Sequence, residues 1–164
     1  MLVRPARRED AAAIADVHVL TWKAAYEHVF DAERLAGIGE RRRTQWEGWL
    51  ADPRPDWRFF VAEEDGRVLG FAWVGDSRDE PGKGELFAIY VLPDVWGSGA
   101  GSALMTTALE ALCSYSSATL WVLEDNPRAR RFYEREGWIL DGGRRDEELL
   151  GMTVAEVRYR ISFD

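Results

Sequence analysis

The sequence predicts an α/β (α+β) fold in which helices pack on one mixed β-sheet. A β-hairpin is expected where Asp65-Gly66 separates two apolar stretches, because this residue pair favours a type I′ turn. The segments ELFAIYVL and ATLWVLE are apolar on both faces, as strands in the middle of a covered sheet are. The predicted order of elements, βααββ followed by βαβαββ, places both halves of the chain in the same sheet. We therefore expect a single domain over residues 1–164.

The first half of the chain is predicted to contain a strand, two helices and the hairpin. LVRPA is typical of a short strand, and Asp10 can cap a helix that runs from about Ala11 to Glu27. A second helix is expected from about Glu40 to Ala51. The segment between these helices, VFDAERLAGIG, is predicted to be a loop.

The second half is predicted to contain two helices and the remaining strands. The helix after the turn VWGSGAGSAL has one apolar stripe, made of Gly101, Leu104, Met105, Ala108, Leu109 and Leu112. Asn126 caps the next helix, Pro127 occupies its first position, and the helix ends near Gly137. WIL and AEVRYRISF are expected to form the last two strands.

Composition excludes several classes of function. The net charge of −8 and the pI of about 4.9 disfavour a nucleic-acid-binding surface and favour cationic substrates. No apolar run approaches the roughly 18 residues of a membrane span, and the first ten residues do not resemble a signal peptide. Cys113 is the only cysteine, so we expect a reducing, cytoplasmic location and a packing role for this residue in the core. His18 and His28 lack further ligands at suitable spacing, so no metal site is expected.

The glycine-rich turn between a strand and a helix indicates an anion site. The first N–H groups of a helix have no intrahelical partner, and glycines allow a phosphate to approach them closely. A turn selected only for tight packing fits the same residues. The glycine spacing differs from the dinucleotide-binding pattern, and the P-loop lysine is missing.

A second motif, NPRARRFYEREGW, begins 25 residues after Gly101. With this motif, the sequence resembles the GCN5-related N-acetyltransferase (GNAT) superfamily. The acyl-CoA motif of that family, Arg/Gln-x-x-Gly-x-Gly/Ala, falls on residues 96–101, with Trp96 in place of the usual Arg or Gln. The family's second motif is matched by Asn126, Ala129, Phe132, Tyr133, Gly137 and Trp138.

The resemblance spans nearly the whole chain and implies the GNAT fold. In this fold about seven mostly antiparallel strands form one sheet, which is splayed between strands 4 and 5 and flanked by about four helices. It also implies acetyl-CoA as the acyl donor, with no metal. The residues expected to bind the coenzyme are Ile89, Tyr90, Val91, Trp96, Gly97, Ser98, Gly99, Ala100, Gly101, Ser102, Asn126 and Tyr133. Arg130 or Arg131 is a further candidate for a phosphate contact.

The reaction implied is direct attack of a primary amine on the thioester, through a tetrahedral intermediate. An N–H group near Val91 would stabilise the oxyanion. Tyr133 matches the family's general acid; the alternative is that it only packs in the core. Glu85, which opens the central strand, is the candidate base, and Glu124 or a chain of water molecules is the alternative.

The acceptor is expected to be a small-molecule amine or a protein amino group. Trp22 and Tyr26, together with Glu85, are the candidate acceptor-binding residues. The spacing of Trp22 and Tyr26 also fits a simple packing stripe. A homodimer formed through the last strands is one arrangement found among relatives. A GNAT fold that binds acyl-CoA without turnover, as a sensor, is the competing interpretation.

Overall fold

The computed structural model describes residues 1–164, which form a seven-stranded sheet with helices on both faces. The strands are β1 (Leu2–Pro5), β2 (Arg58–Glu64), β3 (Arg67–Asp76), β4 (Gly84–Val91), β5 (Ser117–Leu123), β6 (Ile139–Leu149) and β7 (Met152–Ser162). The α-helices are α1 (Ala11–Tyr26), α2 (Ala32–Leu35), α3 (Ile38–Ala51), α4 (Ala100–Leu112) and α5 (Pro127–Arg135). Single 3-10 turns lie at Arg8–Asp10 and Pro93–Val95. None of the helices is both long and apolar enough to cross a membrane.

The strand order is β1-β2-β3-β4-β5-β7-β6, and every neighbouring pair is antiparallel except β4 and β5. These two parallel strands pair only at Gly84 with Ala118 and at Glu85 with Thr119. Beyond Glu85 they separate, so the rest of β4 has one edge without a strand partner. The predicted fold class, a mostly antiparallel sheet splayed between strands 4 and 5, is confirmed.

Local signals placed the hairpin and the cap of α5 correctly, whereas Asp10 precedes α1 without capping it, because its carboxylate accepts from the Arg4 guanidinium and the Arg7 N–H instead. Asp65 and Gly66 both have positive φ, 51° and 78°, as a type I′ turn requires. The Asn126 side chain accepts a hydrogen bond of 3.2 Å from the Ala129 N–H at the start of α5. In α4, Leu104, Met105 and Ala108 are buried against the sheet, so the predicted stripe faces the core.

Two predictions about secondary structure were wrong. The segment expected to be a loop contains the short helix α2, which Asp31 caps by accepting a hydrogen bond from the Arg34 N–H and which buries Leu35. β6 has eleven residues and is much longer than the predicted segment WIL, whereas β7, also with eleven residues, largely coincides with the predicted AEVRYRISF; a turn at Leu150-Gly151 joins the two strands. β6 is an edge strand, and most of its residues are polar and exposed or half-buried. Its sequence therefore lacks the alternation of apolar and polar residues that indicates a strand.

The prediction that Cys113 packs in the core was also wrong, because its side chain is exposed. Leu112 is the last buried residue of α4, and Cys113 is the cap that follows it. One residue turns a helix by about 100°, which carries Cys113 off the apolar stripe.

The helices α1 and α3 cover the sheet face opposite α4. Trp46 of α3 is fully buried there, and its Nε1 donates a hydrogen bond of 3.1 Å to Nδ1 of His18 in α1. Phe71 of β3 packs edge-on against the Trp46 ring. These contacts fix the helix pair α1 and α3 to the sheet. One end of the pair lies near the part of β4 that has no strand partner.

Candidate active site

A cleft of about 650 Å³ opens where β4 and β5 separate. Its walls come from α1, β4, β5, the glycine-rich turn and α5. Most of the predicted coenzyme-binding residues line it: Ile89, Tyr90, Val91, Trp96, Gly97, Gly99, Gly101, Ser102, Asn126 and Tyr133. Ser98 and Ala100 lie outside this lining.

The N–H groups of the turn divide into two sets. Those of Ser98 and Ala100 bond within the turn, to the Val95 carbonyl at 3.2 Å and to the Ser98 Oγ at 3.4 Å. Those of Gly97, Gly99, Gly101 and Ser102 donate no hydrogen bond within the protein. These four residues are also the ones that line the cleft. The turn therefore presents free donors to the cleft at the start of a 13-residue helix, where the helix dipole adds partial positive charge.

The glycines of the turn have different functions. Gly97 and Gly99 have φ of 82° and 93°, and a Cβ on either would meet no protein atom within 4 Å. Their backbone is left-handed, and the space above them is cleft. At Gly101 the space is bounded by protein instead, since a Cβ there would lie 3.4 Å from the Phe132 ring of α5.

Positive charge collects beside the turn although the chain is acidic. Arg128, Arg131 and Arg135 of α5 all line the cleft, and none of them forms an ion pair with a carboxylate. Burial, and then the charges of Arg135 and Arg131, hold the pKa of Arg128 below its usual range. The Arg128 guanidinium lies 3.6 Å from the centre of the Trp96 ring. An anion in the cleft would find uncompensated charge there.

Three tyrosines from different elements face the cleft: Tyr26 of α1, Tyr90 of β4 and Tyr133 of α5. Burial raises the pKa of Tyr90 to about 12. Burial also raises the pKa of Tyr133, with a smaller contribution from Tyr90. For Tyr26, burial again raises the pKa most, followed by the charges of Tyr90, Glu156 and Tyr133. All three hydroxyls keep their protons at neutral pH.

Comparison with known proteins settles the family. The model of the acetyltransferase (GNAT) family matches residues 16–138. The chain belongs to this family. It is 28% identical to a probable N-acetyltransferase, Rv2775, of Mycobacterium tuberculosis, over 97% of this chain and 92% of that protein.

Solved structures of acetyltransferases share the fold of this chain. The PaiA N-acetyltransferase of Thermoplasma acidophilum, crystallised with coenzyme A, has a TM-score of 0.78 at 19% identity, over 99% of this chain and 98% of the other. YncA of Salmonella typhimurium, solved with acetyl-CoA, has a TM-score of 0.73 at 20% identity, over 100% and 94% of the two chains. At such identities the likeness is one of fold.

Both predicted carboxylates are ion-paired in this GNAT protein. Glu85 is fully buried; it accepts hydrogen bonds from the Arg78 N–H at 3.0 Å and from the Arg78 guanidinium at 2.5 Å. Glu124 is paired with Arg144 at 2.6 Å. Neither glutamate is among the residues that line the cleft. The role of Glu85 as general base stays a prediction.

The two aromatic residues among the three predicted to bind the acceptor line different cavities. Trp22 and Tyr26 stack with ring centres 4.2 Å apart, and Phe30 stacks on Trp22 at 5.5 Å. Trp22 and Tyr26 are both more than 90% buried. Tyr26 lines the cleft, whereas Trp22 lines a second, smaller cavity. Both interpretations of this pair, packing stripe and acceptor wall, fit the geometry.

Sequence reasoning missed two features of the site. The first is the pairing of His28, which lines the cleft, with Asp125: Nε2 of His28 lies 3.1 Å from the Asp125 carbonyl oxygen and 3.2 Å from its carboxylate. These residues are 97 positions apart, so no local pattern could pair them. The contact of Arg128 with Trp96 was missed for the same reason. The only sign of this contact in the sequence is the number of arginines in the second motif.

Proposed function

We propose that this protein transfers the acetyl group of acetyl-CoA to a primary amine. The observation that carries the proposal is the set of four free N–H groups of the turn, in one cleft with Tyr133 and the open edge of β4. Membership of the GNAT family supports the reaction class. The neighbours solved with coenzyme A or acetyl-CoA support the choice of donor.

The cleft suits a coenzyme that carries a diphosphate and an extended arm. Free N–H groups at a helix start, with unpaired guanidinium groups beside them, match a diphosphate. The exposed edge of β4 over Ile89, Tyr90 and Val91 can bond an extended amide chain as an added strand does. When bound there, acetyl-CoA would supply an acetyl group activated as a thioester.

Tyr133 is the proposed general acid. The Tyr133 hydroxyl would donate its proton to the departing thiolate, while an N–H group near Val91 would stabilise the oxyanion of a tetrahedral intermediate. The Val91 carbonyl already accepts hydrogen bonds from Thr21 Oγ1 at 3.2 Å and from Trp96 Nε1 at 2.9 Å. These bonds hold the end of β4 in place.

Besides Glu124 or a chain of water molecules, the general base has two candidates. Glu85 was predicted from its position on β4, and it would need to act through intervening groups, since Arg78 holds its carboxylate. His28 lines the cleft directly, and Asp125 orients its ring. An imidazole in this position can act as the base that takes a proton from an ammonium group. Comparison of His28→Gln with Glu85→Gln in a pH–rate profile separates them, since only loss of the base removes the acidic limb.

A thiol-release assay tests the proposal. Acetyl-CoA is incubated with the protein and a panel of amines, and free CoASH and the N-acetyl product are both quantified. We expect equal amounts of the two products with at least one acceptor. Tight binding of acetyl-CoA without release of CoASH from any acceptor would instead support the sensor interpretation, which the change at Trp96 kept open.

A further inference from the structure

A second cavity of about 320 Å³ lies between α3 and the turn that joins β6 to β7. Its apolar wall consists of Trp22, Ile38, Leu149 and Leu150. Its polar groups are Arg41, Arg42, Gln45 and Glu148. Nothing in the coenzyme cleft requires this cavity.

The charges in the cavity are not paired with one another. Arg42 donates a hydrogen bond of 2.9 Å to the amide oxygen of Gln45, and neither Arg41 nor Arg42 forms an ion pair. The Glu148 carboxylate accepts instead from the Thr153 hydroxyl. Two guanidinium groups against one carboxylate leave the cavity with net positive charge.

Arg42 is held partly away from solvent. Burial, its largest influence, and the neighbouring charge of Arg41 both lower the pKa of Arg42, while Tyr90 has the opposite effect. Because Arg42 is half-buried and lies beside a like charge, any anion that reaches its guanidinium stabilises it. The next residue, Arg43, is different: it is exposed and lies 3.9 Å from Asp16.

The cavity adjoins the cleft through a wall of aromatic rings. Trp22 lines the cavity, and it stacks on Tyr26, which lines the cleft. Trp22 and Tyr26 therefore form the partition that an acceptor extending from Arg42 to the cleft would contact.

We propose that this cavity binds the carboxylate of the acceptor, so that the acceptor is a primary amine that also carries a carboxylate, such as an amino acid. The inference rests on the proposed acetyltransferase function and names the substrate class of that site. Arg42 makes the charge-assisted contact, and Arg41 adds positive charge. The local charge here is opposite to the net charge of the chain, which by itself favours cationic substrates.

Matched acceptors test the inference. Amino acids are compared with their carboxamides, and ω-amino acids with alkylamines of equal length, by kcat/KM for N-acetyl product. We expect the carboxylate member of an acetylated pair to be preferred roughly 10- to 100-fold, the value of one hydrogen-bonded charge contact. Arg42→Gln should remove the preference and leave the Kd of acetyl-CoA unchanged. Arg43→Gln, the control at the adjacent exposed position, should keep both.

The two proposals fail differently. Equal kcat/KM within every acetylated pair, or a preference that survives in Arg42→Gln, would overturn the carboxylate site and leave the acetyltransferase function in place. Acetyl-CoA that binds but is transferred to no member of the panel would also overturn the carboxylate site. Absence of acetyl-CoA binding in the parent protein would overturn both.

Discussion

The Arg128 guanidinium lies over the Trp96 indole, 3.6 Å from the ring centre. Such contacts are attractive because a cation meets the electron-rich ring face. The Trp96 Nε1 meanwhile donates to the Val91 carbonyl at 2.9 Å. One tryptophan thus orients a positive charge beside the glycine turn and fastens the open end of β4. We infer that Arg128 takes over the electrostatic task of the Arg or Gln that the family motif has at position 96.

Replacement of Arg128 should therefore weaken coenzyme binding. We expect Arg128→Gln to raise the Kd of acetyl-CoA about tenfold, as loss of one charge-assisted contact does. The dependence of the Kd on salt should become shallower, because one charge fewer is screened. Isothermal calorimetry at two salt concentrations measures both.

Arg54→Gln is the matched control, because Arg54 also lies over a tryptophan, Trp57, at 5.7 Å, but outside the cleft. Its Kd should equal that of the parent. If the two variants bind acetyl-CoA equally well, Arg128 does not contact the coenzyme.

Gly99→Val should abolish acetyl-CoA binding. The new side chain would project into the cleft beside the free N–H groups and exclude a phosphate from them. The control is Gly82→Val, since Gly82 has a similar φ of 81° and equally open space, but lies in a distant loop. Both variants carry the strain of a left-handed valine, about 1–2 kcal/mol. A normal Kd in Gly99→Val would contradict the phosphate-binding assignment of the turn.

Tyr133→Phe should lower turnover roughly 100-fold or more, because the thiolate then departs without a proton donor. Acetyl-CoA affinity should change little, since the ring is retained. Tyr115→Phe serves as the control, as the Tyr115 hydroxyl bonds to Asp76 outside the cleft. Stopped-flow measurement of CoASH release gives the rates. Parent-like turnover in Tyr133→Phe would leave this residue with a packing role only.

The buried pair of His18 and Trp46 predicts a loss of stability in acid. Burial is the main reason that the pKa of His18 is lowered to about 3, with a smaller contribution from Arg42. The unfolded chain takes up this proton near pH 6.5, whereas the folded protein does not. Stability is therefore complete above about pH 6.5 and falls as the pH drops toward 3. Between pH 7 and pH 5 the expected loss is about 2 kcal/mol.

Chemical denaturation at pH 7 and pH 5 measures this loss. In His18→Gln the amide oxygen can still accept from Trp46, but no proton is taken up on unfolding, so the difference between the two pH values should shrink by about 2 kcal/mol. An unchanged difference in His18→Gln would show that His18 is not the responsible group.

Features that depend on near neighbours in the chain could be predicted from the sequence. The turn at Asp65-Gly66, the cap at Asn126 and the stripe around Leu104 each involve residues within a few turns of one element. The glycine turn and Tyr133 could be assigned to one site for a related reason, since each of them lies in a family motif that is continuous in the chain. The missed helix α2 and the long strand β6 have weak local patterns, and only packing against the rest of the sheet defines them.

The sequence by itself determined the family, the fold class, the glycine turn and the acid candidate. The tertiary structure alone decided which charges are paired. It holds Glu85 with Arg78, places Arg128 on Trp96, and leaves Arg42 without a carboxylate. These contacts join residues whose proximity depends on where β4 and β5 separate and on how α3 meets the last hairpin. The periodic pattern of apolar residues in the sequence does not predict such distances, because the free energy that determines them comes from burial of the whole core.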